Sequence, residues 1–156
     1  MNSHSPSLEL ERHQAVRELF QRMPFNQALG IELDEISAEK VVMHLAMKEQ
    51  LVGNFILGIL HGGVIASVLD VAGGAMAMVG AIGRHAHLSE PERAERLSRL
   101  GTIDLRIDYL RPGRGQRFTA TAVPLRSGNK VTVVRSELHN EQGTLVAVGT
   151  GTYLCG

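Results

Sequence analysis

Tryptophan is absent from the sequence, and Cys155, next to the C-terminus, is its only cysteine. One cysteine cannot form an intrachain disulfide, so we expect a reducing compartment and a cytoplasmic location. Aromatic residues make up only 4% of the chain, which disfavours a function based on stacking against exposed bases or sugars.

The chain also has no excess of either charge, because it contains 16 basic and 16 acidic residues. With this balance, nothing in the net charge points to a function on nucleic acid or on an anionic membrane, and we expect neither. The N-terminal stretch MNSHSPSLELER is polar and has no apolar segment of the kind found in signal peptides, so we expect no signal peptide.

The chain is long enough for one domain with a sizeable core, since it has 156 residues of which 44% are hydrophobic. Apolar residues recur at helical spacing from Leu8 to Met23, before Pro24, and predict an amphipathic helix there. We therefore expect an N-terminal helix and tail in residues 1–23 and a single domain in residues 24–156.

A long apolar run, NFILGILHGGVIASVLDVAGGAMAMVGAIG, begins at Asn54 and contains one charged residue, Asp70. Its central part, Val64 to Gly83, has the length of a membrane span. Asp70, four glycines and the lack of a second apolar run or a flanking basic cluster argue instead for a helix buried on all sides in a soluble protein. Because burying an unpaired charge is costly, Asp70 is expected to have a purpose.

Strand-like segments lie on both sides of this helix. Ile31 to Ile36 and Lys40 to Met47 alternate as strands do, and Gln50 to Leu60 is interpreted as a loop. A capping box of Ser89 and Glu92 predicts a short charged helix. After Gly101 come four β-branched segments, TIDLRIDYL, QRFTATAVPL, NKVTVVRSELH and TLVAVGTGTYL.

The links between these four segments, RPGRG, RSG and NEQG, have turn composition, so neighbouring strands are predicted to be antiparallel. One long apolar helix and one large antiparallel sheet together predict an α+β arrangement, the hotdog fold, in which the sheet wraps around the helix.

Three motifs, GILHGGVIASVLDVAGG, GTIDLRIDYLRPGRG and VAVGTGTYL, resemble the PaaI-type hotdog thioesterases. The segments MPFNQALGIELDEI, LHGGVIASVLDVAGG and RLSRLGTIDLRIDYLRPGRG are most similar to the YigI branch of that family, which acts on medium- and long-chain acyl-CoA. The resemblance implies an acyl-CoA thioester hydrolase with no cofactor. It also implies homodimers, often paired into tetramers.

Gly62 and Gly63 precede the apolar helix. A helix start leaves free N–H groups at the positive end of the dipole, and glycine lets a substrate carbonyl approach closely. Such a site can stabilise the oxyanion that forms as a thioester is cleaved. The alternative is that both glycines merely allow a tight turn into the helix.

Asp70 is the candidate nucleophile or general base, and the resemblance implies the same position. The alternative is an Asp satisfied by hydrogen bonds in a dimer interface. Some relatives carry Ser or Thr one turn after the carboxylate, where this chain has Gly74. Ser67, one turn before Asp70, is a supporting candidate, with helix packing as the alternative.

Four further residues complete the predicted site. The amide of Asn54 can donate to the thioester carbonyl or to the attacking water, although Asn is also common in turns. His61 is predicted to support the site by shaping the loop into the helix. Arg111 and Arg114 suit the phosphates of coenzyme A, with charged turn residues as the alternative.

A metal site is not expected, because His85 and His87 have no third ligand near them in the sequence. Gly62 and Asp70 lie eight positions apart on one predicted helix, about 12 Å along its axis. If both act on one carbonyl, they come from two subunits. The alternatives to a thioesterase are a hotdog dehydratase or hydratase and a non-catalytic acyl-CoA-binding protein.

Overall fold

The computed structural model describes residues 6–156 and begins with two helices separated by a proline. α1 spans Pro6–Arg22, and α2 spans Pro24–Leu29. Pro24 has no N–H to donate, so it ends the first helix and suits the first turn of the second. Gly30, at φ 76°, closes α2 in a left-handed conformation. The sequence predicts α1 within two residues but not α2.

Six antiparallel strands form the main sheet. They are β1 (Ile31–Ile36), β2 (Val41–Ala46), β5 (Gly101–Tyr109), β6 (Arg117–Ser127), β7 (Val131–Asn140) and β8 (Leu145–Leu154). Their order across the sheet is β1-β2-β6-β7-β8-β5. Two short strands, β3 (Val52–Asn54) and β4 (Ile59–Leu60), form a small hairpin after a 3-10 turn at Glu49–Leu51, where the sequence predicted only a loop.

The prediction that every short link joins neighbouring strands is wrong for RPGRG. β5 pairs with β8, with Gly101 opposite Leu154, and both β7 and β8 lie between β5 and β6. The RPGRG segment therefore crosses from the edge of the sheet to its middle. Turn composition predicts that the chain changes direction, but pairing between distant segments decides which strand is the neighbour. β6–β7 and β7–β8 are antiparallel neighbours as predicted.

The long apolar helix, α3, spans Gly62–Arg84 and packs against β6, β7 and β8. It is long and apolar enough to cross a membrane, but most of its side chains are buried in the core of the fold. α1 packs against α3, and its Val16 and Phe20 join the same core. A sheet wrapped around one central helix confirms the predicted hotdog fold.

The short helix α4 spans Glu90–Ser98 on the surface. Its capping box forms as predicted, because the Ser89 N–H and hydroxyl both donate to the Glu92 carboxylate, at 3.0 and 2.6 Å. These two hydrogen bonds hold the pKa of Glu92 below its usual value.

Candidate active site

The first turn of α3 leaves one backbone donor free. The Nδ1 atom of His61 accepts a hydrogen bond from the Gly63 N–H at 2.8 Å, so His61 is the N-cap of the helix. The Gly62 N–H has no acceptor among residues 6–156. Of the two predicted oxyanion donors, Gly62 is therefore the one available to a ligand, while His61 and Gly63 hold each other in place.

Tyr109 fixes the start of α3 from the end of β5. Its hydroxyl donates to the Gly62 carbonyl at 2.8 Å, and a Cβ added to Gly62 would lie 3.3 Å from the tyrosine ring. An open cleft of about 370 Å³ lies here. It is lined by Ile59, Leu60, Gly62, Ile65, Tyr109, Leu110, Arg111, Pro112 and Gly113.

Asp70 lies two turns further along α3 and is half-buried. The hydroxyl of Thr102, at the start of β5, donates to the Asp70 carboxylate at 2.9 Å. The hydroxyl of Tyr153, on β8, donates to the Asp70 main-chain carbonyl at 3.2 Å. The carboxylate is thus oriented by one hydroxyl, and the helix turn that carries it is tied to the sheet by another.

Tyr153 is buried beneath this turn. A Cβ on Gly73 or on Gly151 would overlap its hydroxyl, so both glycines make room for the ring. Burial raises the pKa of Tyr153 well above its usual value, and the nearby negative charge of Asp70 raises it further. The phenol consequently stays protonated and remains a donor.

Gly62 and Asp70 do not meet within one chain. They are eight positions apart on the same straight helix, so their backbones are separated by about 12 Å along its axis. Asp70 does not line the cleft at Gly62. Each chain therefore carries a free backbone donor at the start of α3 and, separated from it, a carboxylate two turns later.

Asn54 lies at the end of β3, close to the start of α3. Its side-chain oxygen accepts hydrogen bonds from the N–H groups of Ile56 and Leu57, at 3.1 and 3.2 Å. Its amide Nδ2 makes no protein hydrogen bond in the described part of the chain. Gly53, the preceding residue, allows β3 to pass close to His61 at the start of α3, since a Cβ there would lie 2.8 Å from the His61 Cα. The turn role and the donor role predicted for Asn54 are therefore compatible.

The remaining predicted residues divide between the cleft and the helix. Arg111 lines the cleft, and its Nη1 donates to the Leu145 carbonyl at 3.0 Å, while Arg114 is exposed on the same link. Ser67 donates to the Gly63 carbonyl at 2.7 Å, a bond within α3 that favours its structural role.

No group of three potential metal-ligating side chains occurs among residues 6–156. His85, one of the two histidines considered as ligands, is buried with its Nε2 3.2 Å from the Cys155 carbonyl oxygen.

Sequence reasoning missed three residues of the site: Thr102, Tyr109 and Tyr153. Thr102 is 32 positions from Asp70, and Tyr153 is 83 positions away, so no local spacing links them. A usable signal was present nonetheless. Thr102 and Tyr109 both lie in GTIDLRIDYLRPGRG, one of the motifs that carry the family resemblance.

Comparison with known proteins adds sequence and structural relatives. Residues 57–147 match the family described as the Thioesterase superfamily. The chain is 57% identical over 136 residues to the medium/long-chain acyl-CoA thioesterase YigI of Escherichia coli strain K12, with 86% of each chain covered.

Two solved structures extend this comparison. A Shewanella oneidensis protein related to the thioesterase superfamily is 48% identical, with a TM-score of 0.90 over 96% of this chain and 98% of that one. The PaaI protein of Escherichia coli, from the phenylacetic acid degradation operon, has a TM-score of 0.71 over 95% of this chain and 93% of its own. At 21% identity, that second likeness shows the fold.

Proposed function

Because this chain belongs to the Thioesterase superfamily, we propose that it hydrolyses medium- to long-chain acyl-CoA to a free fatty acid and coenzyme A. The observation that carries the proposal is the 57% identity to a relative named for that activity. The geometry agrees with it, since a free backbone donor and an oriented carboxylate are the groups that thioester hydrolysis needs.

The proposed chemistry uses these two groups on one substrate carbonyl. The Gly62 N–H, assisted by the Asn54 amide, donates to the carbonyl oxygen as it gains negative charge. In one route, Asp70 takes a proton from water, the hydroxyl oxygen bonds to the acyl carbon, and the carbon–sulfur bond breaks. In the other, Asp70 itself attacks and the mixed anhydride is then hydrolysed. In both routes the coenzyme A thiolate leaves and takes up a proton.

We propose that each active site is shared between two copies of the chain. The separation of about 12 Å between Gly62 and Asp70 prevents both from reaching one carbonyl, which each must approach to roughly 3 Å. Gly62 and Asn54 of one copy would work with Asp70 of the other. A two-fold axis then gives two equivalent sites in each homodimer.

The edge of the sheet offers a surface for this pairing. β5 pairs with β8 on one side only, and on its other side no strand among residues 6–156 covers it. Ile103 on this strand is 57% exposed. Antiparallel pairing of β5 with its own copy would extend the sheet across a two-fold axis. Since α3 packs beside β5, the same axis would bring two α3 helices together.

We propose further that such dimers pair into tetramers and that the protein works in the cytoplasm. The second proposal is supported by the free, buried Cys155, which suits a reducing compartment. Arg111 and Arg114 are proposed to contact the phosphates of coenzyme A, because both lie on the link beside the Gly62 cleft.

A thiol-release assay over a series of acyl-CoA chain lengths tests the proposed function. We expect turnover to rise from short to medium and long chains and to persist after treatment with a metal chelator. Absence of thiol release with tight acyl-CoA binding would favour the non-catalytic alternative. Addition of water to a 2-enoyl-CoA, or its loss from a 3-hydroxyacyl-CoA, with the thioester intact would favour the dehydratase or hydratase alternative.

A further inference from the structure

A second cavity, of about 220 Å³, lies between α1 and the C-terminal end of α3. Arg84, in the last turn of α3, is one of its walls. Arg84 is 14 positions beyond Asp70, about 21 Å along the helix axis, so this cavity is distinct from the surroundings of Asp70 and still further from Gly62.

The guanidinium of Arg84 is held in place without a counter-charge. Its Nη1 donates to the Ser127 hydroxyl at 3.0 Å, and its Nη2 donates to the Thr132 hydroxyl at 3.4 Å. Its Nε is buried and has no partner in the described part of the chain. Gly80 makes room for this arrangement, since a Cβ there would lie 3.1 Å from Nη1. Two neutral hydroxyls orient the cation but leave its charge uncompensated.

The charges around the cavity leave one positive charge in excess. Arg12 of α1 also lines it, and neither Arg12 nor Arg84 lies within 4.0 Å of a carboxylate of residues 6–156. Glu9 offsets one of the two cations, and His13 is the remaining titratable group in the wall. A ligand with a single negative charge matches this balance better than the several phosphate charges of coenzyme A.

The rest of the wall is apolar. Val16 of α1 and Val79 and Ile82 of α3 contribute to the lining, and all three are at least nine-tenths buried. Buried apolar walls beside an oriented guanidinium suit an amphiphile with an acyl chain and an anionic head. The volume is below the range of pockets for drug-sized ligands, which favours a chain of medium length.

We propose that this cavity binds a medium-chain fatty acid, with its carboxylate against Arg84 and Arg12 and its chain along Val16, Val79 and Ile82. The choice of this ligand rests on the proposed function, because a fatty acid is the product of that reaction.

The experiment is a titration of the isotope-labelled protein with octanoate, followed by amide NMR shifts. We expect saturable shifts in residues 9–16 and 79–84. Arg84→Gln should weaken this binding about ten- to hundred-fold, because it removes a charge-assisted hydrogen bond. Arg22→Gln is the matched control, since it removes one cation from the exposed end of α1 and should bind as the wild type does.

Gly83→Leu tests the cavity without disturbing the guanidinium. Gly83 lines the cavity, and a Cβ there meets nothing within 4 Å, so a leucine would project into the open space and exclude octanoate. This variant decides the question if Arg84→Gln does not fold. Octanol, which has the same chain and no charge, should bind at least ten-fold more weakly than octanoate.

Shifts confined to the amides near Gly62 and Asp70, or unchanged binding by Gly83→Leu, would overturn the proposal. Equal binding of octanol and octanoate would overturn the role of Arg84. Failure of the proposed function is a separate result, because it would appear as absent thiol release while octanoate still binds at residues 79–84.

Discussion

The Asp70 carboxylate has one hydroxyl donor, from Thr102, and no ion-pair partner among residues 6–156. We expect Asp70→Asn to lower kcat more than ten-fold, a loss above about 1.4 kcal/mol, while acyl-CoA still binds. The substitution is nearly isosteric and removes only charge and basicity. Steady-state kinetics and a binding titration on the same preparation measure both effects.

Asp34→Asn is the control for this variant, because Asp34 lies on β1 and pairs with His44 and Arg117 at the other edge of the sheet. It should retain kcat. An Asp70→Asn enzyme that keeps more than about a tenth of wild-type kcat would show that Asp70 is not the catalytic group.

Thr102 is expected to act as a positioning residue for that carboxylate. Thr102→Val keeps the shape of the side chain and removes the donor, so kcat should fall about five-fold, near 1 kcal/mol, with KM nearly unchanged. Thr102→Ser restores the hydroxyl and should restore kcat. Equal rates for the valine and serine variants would mean that the hydrogen bond at 2.9 Å does not orient Asp70 during turnover.

Tyr153 predicts a loss of stability at alkaline pH. Its pKa is raised by burial and by the charge of Asp70, whereas the unfolded chain has a tyrosine pKa near the ordinary 10.0. Above that pH the unfolded state releases a proton that the folded state keeps, so the free energy of unfolding falls as pH rises. Below pH 10.0, the stabilisation that comes from the protonated Tyr153 is fully present.

Denaturant unfolding of wild type and Tyr153→Phe across this pH range measures the effect. The phenylalanine variant should lose about 1 kcal/mol at neutral pH, from the missing hydrogen bond to the Asp70 carbonyl. Its free energy of unfolding should also fall less steeply than that of the wild type above pH 10.0, the ordinary tyrosine pKa. Identical slopes for the two proteins would contradict the assignment of the decline to Tyr153.

At the scale of the element, α3 tolerates a side chain at one glycine and not at another. A methyl group on Gly73 would overlap the buried Tyr153 hydroxyl, so Gly73→Ala should destabilise the fold by about 1–3 kcal/mol. Gly83→Ala, in the same helix with nothing within 4 Å, should stabilise it by up to about 1 kcal/mol. Thermal unfolding of the two variants tests this. Equal changes in Tm relative to the wild type would contradict the packing around Tyr153.

How far the sequence predicts each element depends on how local its cause is. α3 follows from its own apolar residues, and the capping box of α4 from Ser89 and Glu92. The position of β5 does not, because its pairing with β8 joins residues about 50 positions apart. The same distinction applies to the site. Gly62 could be predicted because it lies at the start of its own helix, whereas Thr102 could not, because its role depends on Asp70, 32 positions away.

The N-terminal helix belongs to the same core as the rest of the fold. We propose that residues 24–156 form the thioesterase domain and that the N-terminal helix, α1, covers it; residues 1–5 of the predicted N-terminal tail lie outside the described part of the chain. This is supported by Val16 and Phe20, which are buried against the main core. The covering role extends to the second cavity, since α1 supplies one of its two walls.

At the scale of the whole molecule, the proposed sharing of each site between two chains predicts complementation. Asp70→Asn keeps Gly62 and Asn54 intact, while Asn54→Ala keeps Asp70 intact. When two inactive variants exchange subunits at random in equal amounts, half of the dimers are mixed and each regains one of its two sites. Roughly a quarter of all sites should therefore recover activity.

Thiol release before and after subunit exchange measures this recovery, with exchange shown independently by mass labelling. Each variant incubated alone is the control, and the test requires that Asn54→Ala alone be nearly inactive. No recovery after proven exchange would place the catalytic groups on one chain, so that either Gly62 or Asp70 would be wrongly assigned.

If the protein dimerises through β5 as proposed, the open edge of that strand has a consequence for the chain before it pairs. An unpaired sheet edge presents a row of backbone donors and acceptors, and such edges are in general starting points for aggregation. Asp104, Arg106 and Asp108 alternate along this strand, and a register shift lies between Thr102 and Asp104. Charge and irregularity make the edge a poor template for foreign strands, so they protect the unpaired chain from aggregation at this strand.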